Sequence, residues 1–185
     1  LDIKCKNFIE ISIVCYGKSI EFFKQVGNPK DVVERFNLKK LSGSHGIGHT
    51  RMATESAITT DGSHPYSTGE DECLVHNGSL SNHNNLRRDL VKKGNLFKSE
   101  NDTEVAAGYI SRNLLNKKSL KETLTDGLND LDGFYTFITG TKNGFAIVRD
   151  EIACKPAVVA ETKDYVAIAS EFQAIANLPK VNSCL

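Results

Sequence analysis

An excess of either charge is missing from this sequence. The 23 Lys and Arg residues stand against 23 Asp and Glu, a formal net charge of zero. Such a chain has no electrostatic footprint for nucleic acid or for an anionic membrane surface. Long apolar runs are missing as well, so no stretch reads as a membrane span. The five cysteines include no CxxC pair, which argues against a zinc ribbon, and their odd number argues against a fully paired disulfide framework. Cys15 and Cys73 fall inside apolar runs and read as buried, reduced thiols of a cytoplasmic protein. No secretory signal is visible. The start at Leu1, not Met, reads as a fragment, a processed product or a trimmed chain.

What is present is globular. Apolar residues make up 39% and charged residues 25% of 185 positions, enough for a real core and too apolar for disorder. No repeat, low-complexity stretch or linker divides the chain, so one domain over residues 1–185 is expected. His45 and His49 have helical spacing for a metal. The glycines of Gly46-Ile47-Gly48 between them argue against a helix, and no metal site is expected.

The run Phe8–Tyr16 (FIEISIVCY) alternates and is β-branched, which predicts a strand. Pro29–Phe36 predicts a short helix. Gly43–Ala53 reads as a turn entering a strand, Ser56–Glu70 as a polar loop, and Glu72–Asn77 as a buried strand stopping at Gly78. Helices are expected over Asn82–Lys93, Asn101–Leu115 and Ser119–Leu131. Asn101 serves as a cap, with Glu104 completing a capping box. Four short strands follow at Phe134–Gly140, Gly144–Arg149, Ala157–Glu161 and Tyr165–Ser170, then a short helix at Glu171–Asn177. Strands, three helices and more strands fit an α+β layered domain.

Three polar clusters break this pattern. In Gly48-His49-Thr50-Arg51-Met52-Ala53-Thr54, an arginine ends a buried-looking strand. It suits a carboxylate held by two parallel hydrogen bonds, or an internal salt bridge. In His76-Asn77-Gly78, the Asn amide and the adjacent Gly N–H can point two donors at one spot, as an oxyanion hole does, or simply form an Asn-Gly turn. In Glu100-Asn101-Asp102-Thr103-Glu104, Asp102 is favoured at a helix start by the dipole alone. Taken together, a fixed cation, a fixed anion and paired donors describe a pocket for an amino acid that reacts at its side-chain carbonyl.

GHTRMAT at 48–54, HNG at 76–78 and ENDTEV at 100–105 resemble, in order and approximate spacing, the class II glutamine amidotransferases. Val148-Arg149-Asp150, Lys155-Pro156 and Ile168-Ala169-Ser170-Glu171 resemble the same family's RD…KP…ASE stretch. The strings LSGSHGIGHTRMATES, CLVHNGSLSNHN and DLDGFYTF most resemble the amidotransferase domain or subunit of glutamate synthases, and Glu55 after the RMAT stretch fits that branch. The resemblance runs from about Ser19 to Lys180. It implies an N-terminal nucleophile hydrolase fold, a four-layer αββα sandwich. It implies that Arg51 holds the α-carboxylate of glutamine and Asp102 its α-ammonium, with Asn77 and Gly78 stabilising the oxyanion. Thr54 and His64 would border the pocket. No cofactor is implied in this domain. The partner implied is a synthase domain or subunit, such as an FMN and iron–sulfur glutamate synthase.

The family's nucleophile is an N-terminal cysteine, usually followed by Gly, whose own α-amino group acts as base. Leu1 cannot serve. Cys5, in Lys4-Cys5-Lys6, lacks that context, and the stretch YGKSIEFFKQVGNP, similar to the family's mid-domain, follows too closely. The expectation is therefore a sandwich incomplete at its N-terminus. Its nucleophile would lie in a trimmed segment or in a separate N-terminal chain. The alternative is a non-catalytic domain that binds glutamine or glutamate and regulates a partner. A sandwich lacking an internal strand exposes two edges, so a companion chain or reduced stability is also expected.

Overall fold

The computed structural model describes residues 8–16, 19–51 and 59–181, with side chains described over 19–50 and 59–181. Its first sheet is antiparallel, ordered β2-β1-β3, from β1 (Phe8–Tyr16), β2 (Ser19–Lys24) and β3 (His45–Arg51). β1 pairs with β3 from Phe8↔Arg51 to Val14↔His45. The strand β2 was not foreseen in the sequence, because its Ser-Ile-Glu-Phe-Phe-Lys run is short and alternates poorly. Between them α1 (Pro29–Arg35) starts with proline in its first turn, and the Asn28 side chain accepts from the Lys30 N–H. It lies against β1, with Phe36 5.3 Å from the Phe23 ring.

The second sheet is also antiparallel, ordered β4-β5-β6-β7, from β4 (Tyr66–Gly69), β5 (Glu72–Leu80), β6 (Gly133–Thr141) and β7 (Gly144–Arg149). Two expectations are corrected here. The polar loop over 56–70 contains β4. The fifth strand does not stop at Gly78 but pairs with β6 as far as Leu80↔Gly133. Gly78 continues the strand because its unusual φ of 149° is one that glycine adopts freely.

Alternation along these strands separates two cores. Leu74, Leu80, Tyr135 and Phe137 face the helices α2 (His83–Lys92), α3 (Asp102–Leu115) and α4 (Leu120–Asp130), and pack on Leu90, Val105, Ala106 and Ile110. Cys73 and Val75 face the other way and meet Ile47 of β3, with Ile20 and Ile138 beside them. The layers therefore run helices, sheet, sheet, helix, the expected αββα arrangement. A separate hairpin of β8 (Val158–Glu161) and β9 (Val166–Ala169) precedes the short α5 (Phe172–Ile175).

The helix caps differ in detail from expectation. Asn101 caps α3 by accepting from the Thr103 N–H at 2.8 Å. Glu104 does not close a box with it; its carboxylate is drawn instead to the Lys98 and Ser99 N–H groups. The reciprocal capping box is at Ser119 and Glu122 of α4.

Gly133 marks a close approach of β5 and β6. It has φ 142°, and a Cβ built there would stand 2.2 Å from the Ser79 carbonyl oxygen and 2.9 Å from Leu80 Cα. Both contacts are backbone, so nothing can swing aside. Gly133→Ala is expected to lower the unfolding free energy by about 2 kcal/mol or more, read from urea midpoints. An unchanged midpoint would mean that the two strands separate at little cost.

Candidate active site

A cleft of about 1170 Å³ opens between the second sheet, β3 and the β8–β9 hairpin. It exceeds the roughly 300–1,000 Å³ of ordinary small-molecule pockets. One end is polar, lined by His49, His64, His76, Asn77, Gly78 and Asp102; the other is largely apolar, with Ile138, Phe145, Val166, Ile168, Ile175 and Leu178. Thus Asn77, Gly78, Asp102 and His64 are brought together on one wall. Arg51 ends β3, whose Gly46–Thr50 segment lines the same cleft; its side chain, and all of Thr54, lie outside the described residues.

Asn77 and Gly78 come from β5. Asn77 shares the face of Cys73 and Val75, which turns it to the cleft. Gly78 admits no side chain: a Cβ would lie 2.1 Å from the Phe134 carbonyl oxygen and 2.8 Å from His76 Nε2.

Asp102 comes from the first turn of α3. The preceding loop is pinned from both sides. Arg87 donates to the carbonyls of Ser99 and Asn101 at 2.8 and 3.2 Å, with its guanidinium 4.9 Å over the Phe97 ring. Glu104 accepts from the Lys98 and Ser99 N–H groups, and the Asn101 amide donates to the Gly62 carbonyl at 3.1 Å. So placed, Asp102 Oδ2 accepts from the Leu80 N–H at 2.9 Å, tying the helix start to the end of β5. Oδ1 is 3.7 Å from His76 Nδ1. Burial pulls the Asp102 carboxyl upward, but the nearby His76 ring and the Leu80 N–H that donates to it outweigh that pull. The carboxyl is held below its ordinary value and stays an anion.

His64 is 3% exposed, and its Nε2 lies 2.9 Å from Thr103 Oγ1. Its ring stacks on His49 with centroids 4.0 Å apart. His45 points elsewhere, with Nε2 2.7 Å from the Thr141 carbonyl. Among the described residues no group of three His, Cys, Asp or Glu could hold a metal. None of the described cysteines lines the cleft, and burial pushes the Cys73 thiol up to about 11, which keeps it protonated and inert. Arg149 and Asp150 shape the loop that carries Lys155 to the cleft. Arg149 Nε donates to the Lys155 carbonyl at 2.7 Å, and Asp150 accepts from the N–H groups of Tyr135 and Ala153. Sequence reasoning gave no role to Arg87, His76 or Thr103. The last two stood inside quoted motifs, and burial of both with shared partners is the signal that only three dimensions supply.

The sequence model of the glutamine amidotransferase domain matches residues 49–177. The chain belongs to that family. It is 60% identical over 174 residues to the glutamine amidotransferase-like protein GlxB of Rhizobium meliloti, covering 94% of this chain and 58% of that one. It is 36% identical over 166 residues to a putative glutamine amidotransferase of Methanothermobacter thermautotrophicus, covering 88% of this chain and 54% of that one. The chain thus spans little more than half the length of these relatives. The solved glutamine phosphoribosylpyrophosphate amidotransferase of B. subtilis superposes with a TM-score of 0.80 at 26% identity, over 92% of this chain and 37% of that one. The fold is that of the class II, N-terminal nucleophile amidotransferases. No helix among the described residues is long and apolar enough to cross a membrane.

The lowered Asp102 value links the site to stability. A folded value below the unfolded one stabilises the protein above the unfolded value, and that contribution is lost as pH falls through the folded one. Asp102→Asn is therefore expected to destabilise the protein at pH 7, and the gap from wild type in urea midpoint to shrink as pH drops below the ordinary 3.8. A gap that does not change with pH would mean that the Asp102 charge contributes nothing.

Proposed function

We propose that this chain forms the glutamine-binding wall of a glutamine amidotransferase that releases ammonia for a synthase partner. The observation that carries this reading is the bond from the Leu80 N–H to Asp102. It fixes a carboxylate suited to an ammonium beside Asn77 and Gly78, whose donors suit an oxyanion. In this reading Asp102 holds the α-ammonium of glutamine and Arg51 its α-carboxylate, with Thr54 and His64 bordering the pocket.

The chemistry then needs a thiol at the cleft. The cleft is larger than one amino acid fills, and β3 is an edge strand among the described residues. Both features suit an extended segment bearing an N-terminal cysteine, supplied by residues outside this chain or by a separate chain. Its thiolate would attack the γ-carbonyl carbon of glutamine, with its α-amino group taking the thiol proton. The carbon–nitrogen bond would break as that proton passes to the leaving nitrogen, giving ammonia and a γ-glutamyl thioester. Water would then release glutamate and restore the thiol. The strings LSGSHGIGHTRMATES and CLVHNGSLSNHN support a glutamate-synthase-type acceptor, with an FMN and iron–sulfur component, and a cytoplasmic setting.

A second reading is a domain that binds glutamine or glutamate without turnover and regulates its partner. It is favoured by one observation: among the described residues, no cysteine lines the cleft.

Ammonia and glutamate release from glutamine by the full-length protein separates the two readings. In the catalytic reading Asn77→Ala lowers turnover about a hundredfold with little change in KM. Binding of glutamine without ammonia release would select the regulatory reading, and equal turnover by Asn77→Ala would remove it from the oxyanion site. Arg51→Ala is expected to weaken glutamine binding by about 2 kcal/mol or more, since a charge-assisted pair is lost. Unchanged calorimetric affinity would take Arg51 out of the pocket.

A further inference from the structure

Among the described side chains that line the cleft, Lys155 is the one lysine or arginine. Its backbone is fixed from two elements. Arg149 Nε and Thr136 Oγ1 both donate to the Lys155 carbonyl, at 2.7 and 3.2 Å. Asp150 holds the start of the same loop by accepting from the Tyr135 and Ala153 N–H groups. Thr136 lies directly opposite Asn77 in the β5–β6 register, and Phe134 lies opposite Ser79. Alternation puts these four residues on one face of the sheet, the face that Asn77, Ser79 and Thr136 present to the cleft. The Lys155 ammonium stands 5.3 Å from the centre of the Phe134 ring. Phe134 itself is roughly 7 Å along β6 from the Asn77–Thr136 pair.

An ammonium has three donors and no acceptor. An aromatic face attracts its charge but offers no lone pair to those donors. Among the described residues Lys155 meets no carboxylate within ion-pair range. Its stem is long and flexible, so the head can leave the ring while the loop stays in place. Asp102 is tied to the end of β5 through the Leu80 N–H, and Lys155 to β6 through Thr136. An amino acid with its ammonium at Asp102 and its side-chain carbonyl at Asn77 and Gly78 would place that carbonyl beside the strand that anchors Lys155. Glutamine and glutamate differ only there. One carries a neutral amide, the other a carboxylate.

We propose that Lys155 is a specificity-determining residue of this site: its ammonium leaves the Phe134 ring to pair with the γ-carboxylate of glutamate, so that the pocket holds the deamidated amino acid as well as glutamine. The proposal rests on the glutamine-binding reading above. If the site turns over, Lys155 sets how strongly the product is retained. If it only regulates, Lys155 is what makes the domain respond to glutamate. The amide of glutamine has no net charge and gains little from the same ammonium, whereas a charge-assisted pair with a carboxylate is strong in a cleft.

The test uses the full-length protein. Glutamate affinity is read by calorimetry, and glutamine affinity as the KM for ammonia release, or as a calorimetric Kd where no ammonia is released. Lys155→Met keeps the unbranched stem and removes the charge, and the bonds from Arg149 and Thr136 survive because they go to the backbone carbonyl. Lys155→Met is expected to weaken glutamate binding about tenfold and to change glutamine affinity less than about twofold, while Lys155→Arg recovers most of the loss. Unchanged glutamate affinity in Lys155→Met overturns the proposal, and so does an equal loss for both amino acids, which is what a merely structural role would give. A fall in kcat with glutamate affinity unchanged would assign Lys155 to the chemical step and overturn it as well. A wild type that binds glutamine and not glutamate overturns this proposal alone. A wild type that binds neither overturns the glutamine reading, and the proposal falls with it.

Discussion

The site depends on one hydrogen bond between two layers, from the Leu80 N–H at the end of β5 to Asp102 at the start of α3. A strand end and a helix start both leave backbone groups without regular partners. Here one carboxylate serves a strand donor, lies in the favourable field of the helix N-terminus and still lines the cleft. Moving α3 along its axis would break that bond and carry Asp102 away from Asn77 and Gly78 together. Arg87 and Glu104 oppose such a shift by gripping the loop before α3 at several backbone groups.

The cleft follows from how the two sheets meet. The inner face of the second sheet is wider than the part that β3 covers through Ile47, Cys73 and Val75. Beyond that contact Ile138 and Phe145 turn to the cleft, with Val166, Ile168 and Leu178 across it. The cleft thus joins a polar stretch, where Asp102 stands with Asn77 and Gly78, to a mainly apolar one, and Lys155 lines it as well.

Much of this was legible in the sequence where period and caps were strong. Phe8–Tyr16 and Gly144–Arg149 are strands with the bounds that alternation marked, and Asn101 caps α3. The failures have physical causes. β4 is four residues inside a run of Ser, Thr and Gly, and is ordered by pairing with β5 rather than by its own propensity. Gly78 looked like a stop because glycine usually is one, yet here it continues a strand where β6 comes too close for a side chain. Glu104 has capping-box spacing from Asn101, but the Lys98 and Ser99 donors claim it. Of the cleft, Asn77, Gly78 and Asp102 were readable as parts of motifs. Arg87, which pins the loop before α3, was not, since its partners are backbone carbonyls 12 and 14 residues away.

The glycine at 78 joins these two sets. Its missing side chain is demanded by the Phe134 carbonyl on one side and by His76 Nε2 on the other. The same absence leaves the backbone beside Asn77 unshielded and gives the His76 ring the room to reach Thr103. An alanine there could not relax by moving a flexible neighbour, because the Phe134 contact is backbone. It would press on the His76 ring, whose Nδ1 faces both Thr103 and Asp102. The wall suited to an oxyanion and the carboxylate suited to an ammonium are thus mechanically one unit, with His76 as the part between them.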